Sequence, residues 1–217
     1  MIVVLAGLAA GFVHVVAGPD HLAAVAPLSV AARESAWKAG VRWGVGHSLG
    51  VALVGALALA LREALPLETF SGVAERLVGV TLIGLGLWGL ARLVAARAKA
   101  AEHRHGDVVH SHLPLSAHER RAVHEHASPL RLALGVGTLH GLAGSSHLLG
   151  VLPALALPTR LDAGLYLGAF ALGTVAAMAA CAWTFGALGA RKRELALGAT
   201  SVAALGVGVL WLVAPLG

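Results

Sequence analysis

Six apolar stretches, each close to the length that crosses a lipid bilayer, constrain this 217-residue chain more than any other feature. About 20 residues of α-helix cover the roughly 30 Å of hydrocarbon in a membrane. Because backbone polar groups in lipid must be satisfied within the chain, apolar stretches of this length favour helices. We predict an all-α membrane protein of six transmembrane helices, at approximately residues 2–31, 39–61, 73–96, 129–157, 163–187 and 194–215.

The composition agrees with a chain embedded in lipid. Charged residues make up 12% of the chain, about half of the roughly 25% that is typical of soluble proteins. The net charge of +5 arises from basic residues in the short gaps between apolar stretches. Membrane topology accounts for that placement, so we exclude nucleic acid as a partner. The single cysteine, Cys181, excludes a disulfide within the chain.

Lysine and arginine are distributed unequally over the gaps. Thirteen of the sixteen lie in or beside the first, third and fifth gaps. Basic residues accumulate on the cytoplasmic side of a membrane. We therefore expect a protein of a bacterial-type inner membrane with both termini on the side away from the cytoplasm. Three spans fall in residues 1–98 and three in residues 129–217, and we expect the polar residues 99–128 to form a cytoplasmic loop.

A repeat relates the two halves. Residues 11–27 (GFVHVVAGPDHLAAVAP) align without gaps with residues 137–153 (GTLHGLAGSSHLLGVLP), and the eight identities include the pairs His14/His140 and His21/His147. Because each half has three spans, the second half enters the membrane from the opposite side. Such inverted repeats are typical of secondary transporters, which bind their cargo near the midplane between the repeats.

Ionisable side chains within the predicted spans indicate an ion path, because burying such groups in lipid costs several kcal/mol. Imidazole suits nickel, cobalt, zinc and copper, whereas magnesium and calcium sites are built from oxygen ligands. A lone histidine could be satisfied by a backbone carbonyl, but histidines in symmetric positions favour a metal site. The region around Gly173 and Thr174 corresponds to His47 and lacks a histidine, so we expect an asymmetric site. The candidate ligands are His14, Asp20, His21, His47, His140 and His147.

The spacing of the first two histidines constrains the helix that carries them. His14 and His21 would stand about 10.5 Å apart along an intact helix, which is too far for one ion with bonds of about 2.1 Å. Either they bind ions in sequence, or the helix opens between them. Proline removes a backbone donor and glycine permits unusual dihedral angles, so Gly18-Pro19 favours the second alternative. We expect helices 1 and 4 to break near the midplane, at Gly18 and Pro19 and at Gly144, Ser145 and Ser146.

The HVVAGPDHLAA run and the Gly-His-Ser around His47 resemble the nickel/cobalt transporter family. In that family a histidine on a membrane helix is followed by an Asp-His pair, usually after four residues where this chain has five. The resemblance is to the shorter six-helix members, the permeases associated with urease and hydrogenase maturation. It implies that His14, Asp20, His21 and His47 handle metal.

The connection between the third and fourth spans is rich in histidine. Seven histidines within residues 103–126 are typical of a metal-binding tract, and a solvated linker is the alternative. Ser116 and Glu119 form a capping-box pattern, which predicts a short helix to about residue 126. The auxiliary candidates in this loop are His103, His105, His110, His112, His118, His124 and His126.

We interpret the chain as a secondary-type transporter of nickel or cobalt ions. We do not expect an enzyme, because neither a GxxxxGK[ST] phosphate loop nor an HExxH motif occurs. We expect no cofactor beyond the transported Ni²⁺ or Co²⁺. The expected partners are the lipid bilayer and the divalent ion, with a metallochaperone or an energising subunit as further candidates. The alternatives are a metal exporter, a six-helix carrier of a small organic or sulfur-containing solute, and a metal sensor that does not transport.

Overall fold

A computed structural model describes residues 1–61, 67–100, 102–105, 108–111, 128–143, 152–154 and 156–213. Helices account for most of the described chain, as the apolar stretches predict. A short 3₁₀ turn at Arg33–Ser35 joins the second helix to the third. The elements are α1 (Ile2–Ala17), α2 (Pro19–Ala32), α3 (Ala36–Leu61), α4 (Leu67–Ala100), β1 (Glu102–His105), β2 (Val108–Ser111), α5 (Pro129–Ala143), α6 (Arg160–Arg191) and α7 (Arg193–Val213).

Several of these helices are long and apolar enough to cross a membrane. Three qualify on their own: Arg76–Ala98 within α4, Arg160–Arg191 and Arg193–Val213. A fourth span is possible if the bent pair Ile2–Ala17 and Pro19–Val54 counts as one. The prediction of a helical membrane protein is therefore confirmed in its coarse form. Six spans in two inverted halves stay a prediction, as does the division of the chain at residues 98 and 129.

The described chain is almost entirely helical, as predicted, and one short two-stranded hairpin is the exception. Strands β1 and β2 pair antiparallel within the predicted loop, with His103 opposite His110 and His105 opposite Val108. The residues between the strands are Gly106 and Asp107, a composition that favours a two-residue hairpin connection. This composition agrees with the hairpin, but two residues of this kind do not by themselves predict the flanking strands.

The predicted break in the first span is present at Gly18. Helix α1 ends at Ala17, and Gly18 adopts an extended conformation with φ −89° and ψ 103°. Pro19 then occupies the first turn of α2, where its missing N–H costs nothing and its fixed φ suits a helix start. The two helical segments on either side are bent by 76°. The break turns the last turn of α1 and the first turn of α2 toward each other.

Helix α1 packs closely on α6 through glycines. A Cβ at Gly11 would collide with the backbone carbonyl of Phe170, and one at Gly173 would collide with the carbonyl of Leu8. Close backbone approach at small residues is how helices associate in lipid, where burial of apolar surface supplies little driving force.

Helix α5 packs on α3 in the same manner. A Cβ at Gly137 would collide with the carbonyl of Trp43, and one at Gly46 would collide with the carbonyl of Leu134. Gly137 is the repeat partner of Gly11. Helix α1 therefore packs on α6 and α5 packs on α3, which is the reciprocal arrangement expected if the predicted two-fold relation holds.

Helix α2 lies at the centre of the described helices and contacts α3, α4, α5, α6 and α7. Its side chains from Ala23 to Ala31 are all buried, with Val25 and Leu28 in the main hydrophobic core. Because α2 is enclosed on all sides, the two ionisable residues in its first turn are held within the protein.

Candidate metal site

Five of the six predicted ligands come together in one cluster. His14 lies in the last turn of α1, and Asp20 and His21 lie in the first turn of α2. His47 projects from α3 and His140 from the last turn of α5. The cluster therefore draws on four helices and on both halves of the chain.

Asp20 joins the two halves through both of its carboxylate oxygens. Oδ1 is 3.0 Å from Nδ1 of His21, and Oδ2 is 2.9 Å from Nε2 of His140. The carboxylate is 5% exposed and both histidines are 1% exposed. The N-terminus of α2 favours a negative charge at Asp20, because the helix dipole is positive at that end. The acidic group is thus both buried and compensated.

His21 occupies the middle of the imidazole cluster. Its ring centroid is 4.6 Å from that of His14, 4.8 Å from that of His140 and 5.1 Å from that of His47. The ring of His47 is farther from the other two, at 5.7 Å from His14 and 5.9 Å from His140. In an intact helix, His14 and His21 would lie farther apart along the helix axis. The break at Gly18 is therefore what allows their rings to be in contact.

The ligand atoms form two groups that share His21. One group joins His14, His21 and His47, and the other joins Asp20, His21 and His140; within each, the candidate ligand atoms lie within 4.8 Å of one another. Two ligands of one ion stand at most about 4.2 Å apart when each bond measures about 2.1 Å. Shifts of about 0.6 Å would therefore suffice to bring either group into coordination.

The donor set suits a borderline transition metal. Four imidazoles and one carboxylate are the ligands that nickel, cobalt and zinc accept, whereas a calcium or magnesium site would consist of oxygen atoms. The cluster is also nearly dry, since four of its five residues are buried and only His14 has intermediate exposure. An ion at this position would be coordinated mainly by protein atoms.

Gly18 is required by the cluster as well as by the helix break. A Cβ at this position would collide with Nδ1 of His21 and would lie 3.0 Å from Oδ1 of Asp20. The hydrogen-bonded pair of Asp20 and His21 therefore folds back over a residue that has no side chain. The φ and ψ of Gly18 are open to any residue, so the requirement is steric.

Two aromatic residues beside the cluster, Trp43 and Phe170, were not predicted from the sequence. Trp43 is fully buried, and its ring stacks on His47 with centroids 4.9 Å apart and planes 14° apart. Phe170 lies 5.5 Å from His14. The signal for Trp43 was its position four residues before His47, which puts both on one face of α3.

The other predicted residues divide into two sets. His103, His105 and His110 lie on the strands of the hairpin. Cys181, which is not among the candidate ligands, is partly buried and packs against the hydrophobic core. The predicted residues that lie outside the described part of the chain are Gly144, Ser145, Ser146 and His147 in the second repeat and His112, His118, His124 and His126 in the loop.

Two plant proteins are similar to this chain. It is 36% identical over 180 residues to Chloroplast protein FOR GROWTH AND FERTILITY 1 of Arabidopsis thaliana, and 36% identical over 174 residues to Chloroplast protein FOR GROWTH AND FERTILITY 2. Each alignment covers 79% of this chain but only 46% and 44% of the respective plant protein. The chain thus spans less than half the length of these relatives.

A bacterial relative is closer in length. The chain is 29% identical over 164 residues to Urease accessory protein UreH of Bacillus sp. strain TB-90, which covers 74% of this chain and 66% of that protein. The chain is therefore a distant homologue of this urease accessory protein. No family model matches the chain, and no solved structure matches it. Membership of the nickel/cobalt transporter family stays a prediction.

Proposed function

We propose that this protein carries a divalent transition-metal ion, nickel or cobalt, across a membrane as a secondary-type transporter. The convergence of His14, Asp20, His21, His47 and His140 from four apolar helices carries the proposal. Ionisable groups buried in a membrane protein normally serve a substrate path or a proton path. A proton path needs few imidazoles, whereas ion coordination uses several at once.

The buried hydrogen bonds of Asp20 fit a carrier that exchanges protons for metal. Metal ligands must be deprotonated to bind, so binding releases protons from the site. Asp20 already bridges His21 and His140 by hydrogen bonds. When an ion binds, these polar contacts are replaced by coordination, and the same groups regain their hydrogen bonds when the ion leaves. Asp20 and the two nitrogens that contact it can therefore have partners in both states.

The reciprocal packing of the helices supports the inverted repeat that alternating access uses. In this proposal each half has three spans, and the two halves are related by a pseudo-two-fold axis in the membrane plane. His147 and the break at Gly144, Ser145 and Ser146 would complete the site from the second half. The distribution of lysine and arginine favours an inner membrane with both termini outside and the histidine-rich loop in the cytoplasm.

The relatives are compatible with this function. Similarity to a urease accessory protein agrees with the resemblance to permeases associated with urease maturation. In this proposal the loop histidines act as an auxiliary site that buffers ions on the cytoplasmic side.

Uptake of radioactive nickel and cobalt into oriented proteoliposomes tests the proposal. We expect His21→Ala and His140→Ala to abolish most of the flux, because each removes a ligand and an Asp20 hydrogen bond. Thr184→Ala is the matched control, since its hydroxyl bonds only the carbonyl of Ala180 on the exposed side of α6. Wild-type flux in both histidine variants would contradict a metal path through this cluster.

A further inference from the structure

Trp43 is in ring contact with three of the four histidines in the cluster. Besides its stack on His47, its ring centroid lies 5.2 Å from that of His140 and 5.4 Å from that of His21. The side chain is 0% exposed and is among the largest fully buried side chains of the described chain. An indole in this position covers one whole side of the candidate site with an apolar surface.

The ring face, rather than the indole N–H, is what Trp43 contributes. Its Nε1 atom is buried and makes no hydrogen bond to any described residue. Burying an N–H without a hydrogen bond costs free energy. The packing of the ring, rather than a polar contact to the described residues, therefore favours this position of Trp43. The stacking geometry is favourable by contrast, with the Trp43 and His47 planes 14° apart. Phenylalanine could therefore supply most of the same contact, and leucine could not.

Phe170 repeats this contact in the other half. The Trp43 ring is tilted 53° against His140, and the Phe170 ring is tilted 41° against His14. His14 and His140 are repeat partners, and the backbone carbonyls of Trp43 and Phe170 make reciprocal contacts with Gly137 and Gly11. His14 and His140 thus each pack against an aromatic ring supplied by the opposite half.

We propose that Trp43 is a positioning residue for metal binding, and that Phe170 is its counterpart for His14. An imidazole coordinates a metal through a lone pair in the plane of its ring, so the orientation of that plane determines whether the nitrogen faces the ion. Stacking on Trp43 fixes the plane of His47 and keeps water from that side. The proposal rests on the proposed function, since it concerns the divalent ion that the same cluster binds.

Cobalt titration of the purified full-length protein in detergent tests this role, with Co²⁺ alone as the probe. The absorption bands of Co²⁺ report its coordination geometry. If Trp43 had a purely structural role, its replacement would leave these bands unchanged. We expect Trp43→Leu to bind Co²⁺ about ten-fold more weakly, as is usual when a group that orients a metal ligand is lost, and to shift these bands. Trp43→Phe should bind within about three-fold of the wild type, because it keeps an aromatic face.

Trp88→Leu is the matched control, because Trp88 packs against the hydrophobic core and against the guanidinium of Arg92. It should keep the wild-type affinity and spectrum. Phe170→Leu provides a second variant if Trp43→Leu does not fold, and we expect about three-fold weaker binding from the lost contact with His14. Wild-type affinity and absorption bands in a folded Trp43→Leu variant would overturn the inference but would not affect the proposed function. If Trp43→Leu does not fold, the same result in Phe170→Leu would overturn it. A wild-type protein that binds no Co²⁺ would instead contradict the proposed function.

Discussion

Gly18→Ala tests whether the turn between α1 and α2 exists to bring Asp20 and His21 together. The added Cβ would lie 3.0 Å from Oδ1 of Asp20 and 3.1 Å from Cε1 of His21, and it would collide with Nδ1 of His21. Restoring an ordinary contact of about 3.5 Å requires the ring to move by about 1 Å. The bond between His21 and Asp20, 3.0 Å long, would then exceed the limit of a hydrogen bond.

The size of the effect follows from the displacement of these two candidate ligands. Loss of a contact that orients metal ligands usually weakens metal binding by about ten- to a hundred-fold, and we expect a loss of this size for Ni²⁺ or Co²⁺. The backbone of Gly18, with φ −89° and ψ 103°, is open to alanine, so conformational strain would not explain a loss. The helix break itself should remain, because Pro19 still begins α2.

Isothermal titration of the detergent-solubilised protein measures this change directly. Gly135→Ala is the matched control, because it makes the same substitution on the helix that carries His140 and its Cβ would meet nothing within 4 Å. Its affinity should equal that of the wild type. Equal affinity in Gly18→Ala, with the helical content unchanged, would refute the view that the missing side chain at Gly18 allows Asp20 and His21 to take their positions in the site.

Three further predictions concern the fold. Gly11→Ala overlaps a backbone carbonyl of α6 and should lower the free energy of unfolding in a detergent titration by about 1–3 kcal/mol, whereas Gly164→Ala, which meets nothing within 4 Å, should not. Thr159→Ala removes the cap that accepts from the N–H of Asp162 and should cost about 1 kcal/mol, seen as faster hydrogen exchange at the start of α6. The last prediction concerns topology: we expect activity from a phosphatase fused after the last residue, if the enzyme used is active only outside the cytoplasm. An inactive fusion would contradict the predicted orientation.

The helix break and much of the cluster could be predicted from the sequence because both follow from local rules. Gly18 and Pro19 interrupt a helix wherever they occur together, and the spacing of His14 and His21 gives that interruption a purpose. His140 was identified by the repeat rather than by its own neighbours. The repeat does not predict which helices are in contact, however. The contact of α3 with α5 depends on glycines that cannot be distinguished, in the sequence, from other small residues of an apolar stretch.

Trp43 and the hairpin could not be predicted for a different reason. A tryptophan in an apolar span is usually a lipid-facing or core residue, and only the fold of α5 against α3 puts His140 beside it. In the hairpin, the histidines of residues 103–110 indicated metal binding, while the pairing of β1 with β2 depends on backbone hydrogen bonds that composition does not report. For Trp43 the missing information was a contact between helices distant in sequence, and for the hairpin it was the pairing of two neighbouring strands.

The two halves agree in their packing and differ in their chemistry, and the difference follows a pattern. Gly46 and Gly173 make equivalent contacts on the first helix of the opposite half, which sets His47 and Thr174 in equivalent positions. His47 brings an imidazole to the cluster, whereas the fully buried Thr174 brings a hydroxyl. Imidazole is the better ligand for nickel and cobalt. The predicted two-fold relation therefore agrees with the packing around the cluster, and His47 adds an imidazole that Thr174, at the equivalent position, does not match.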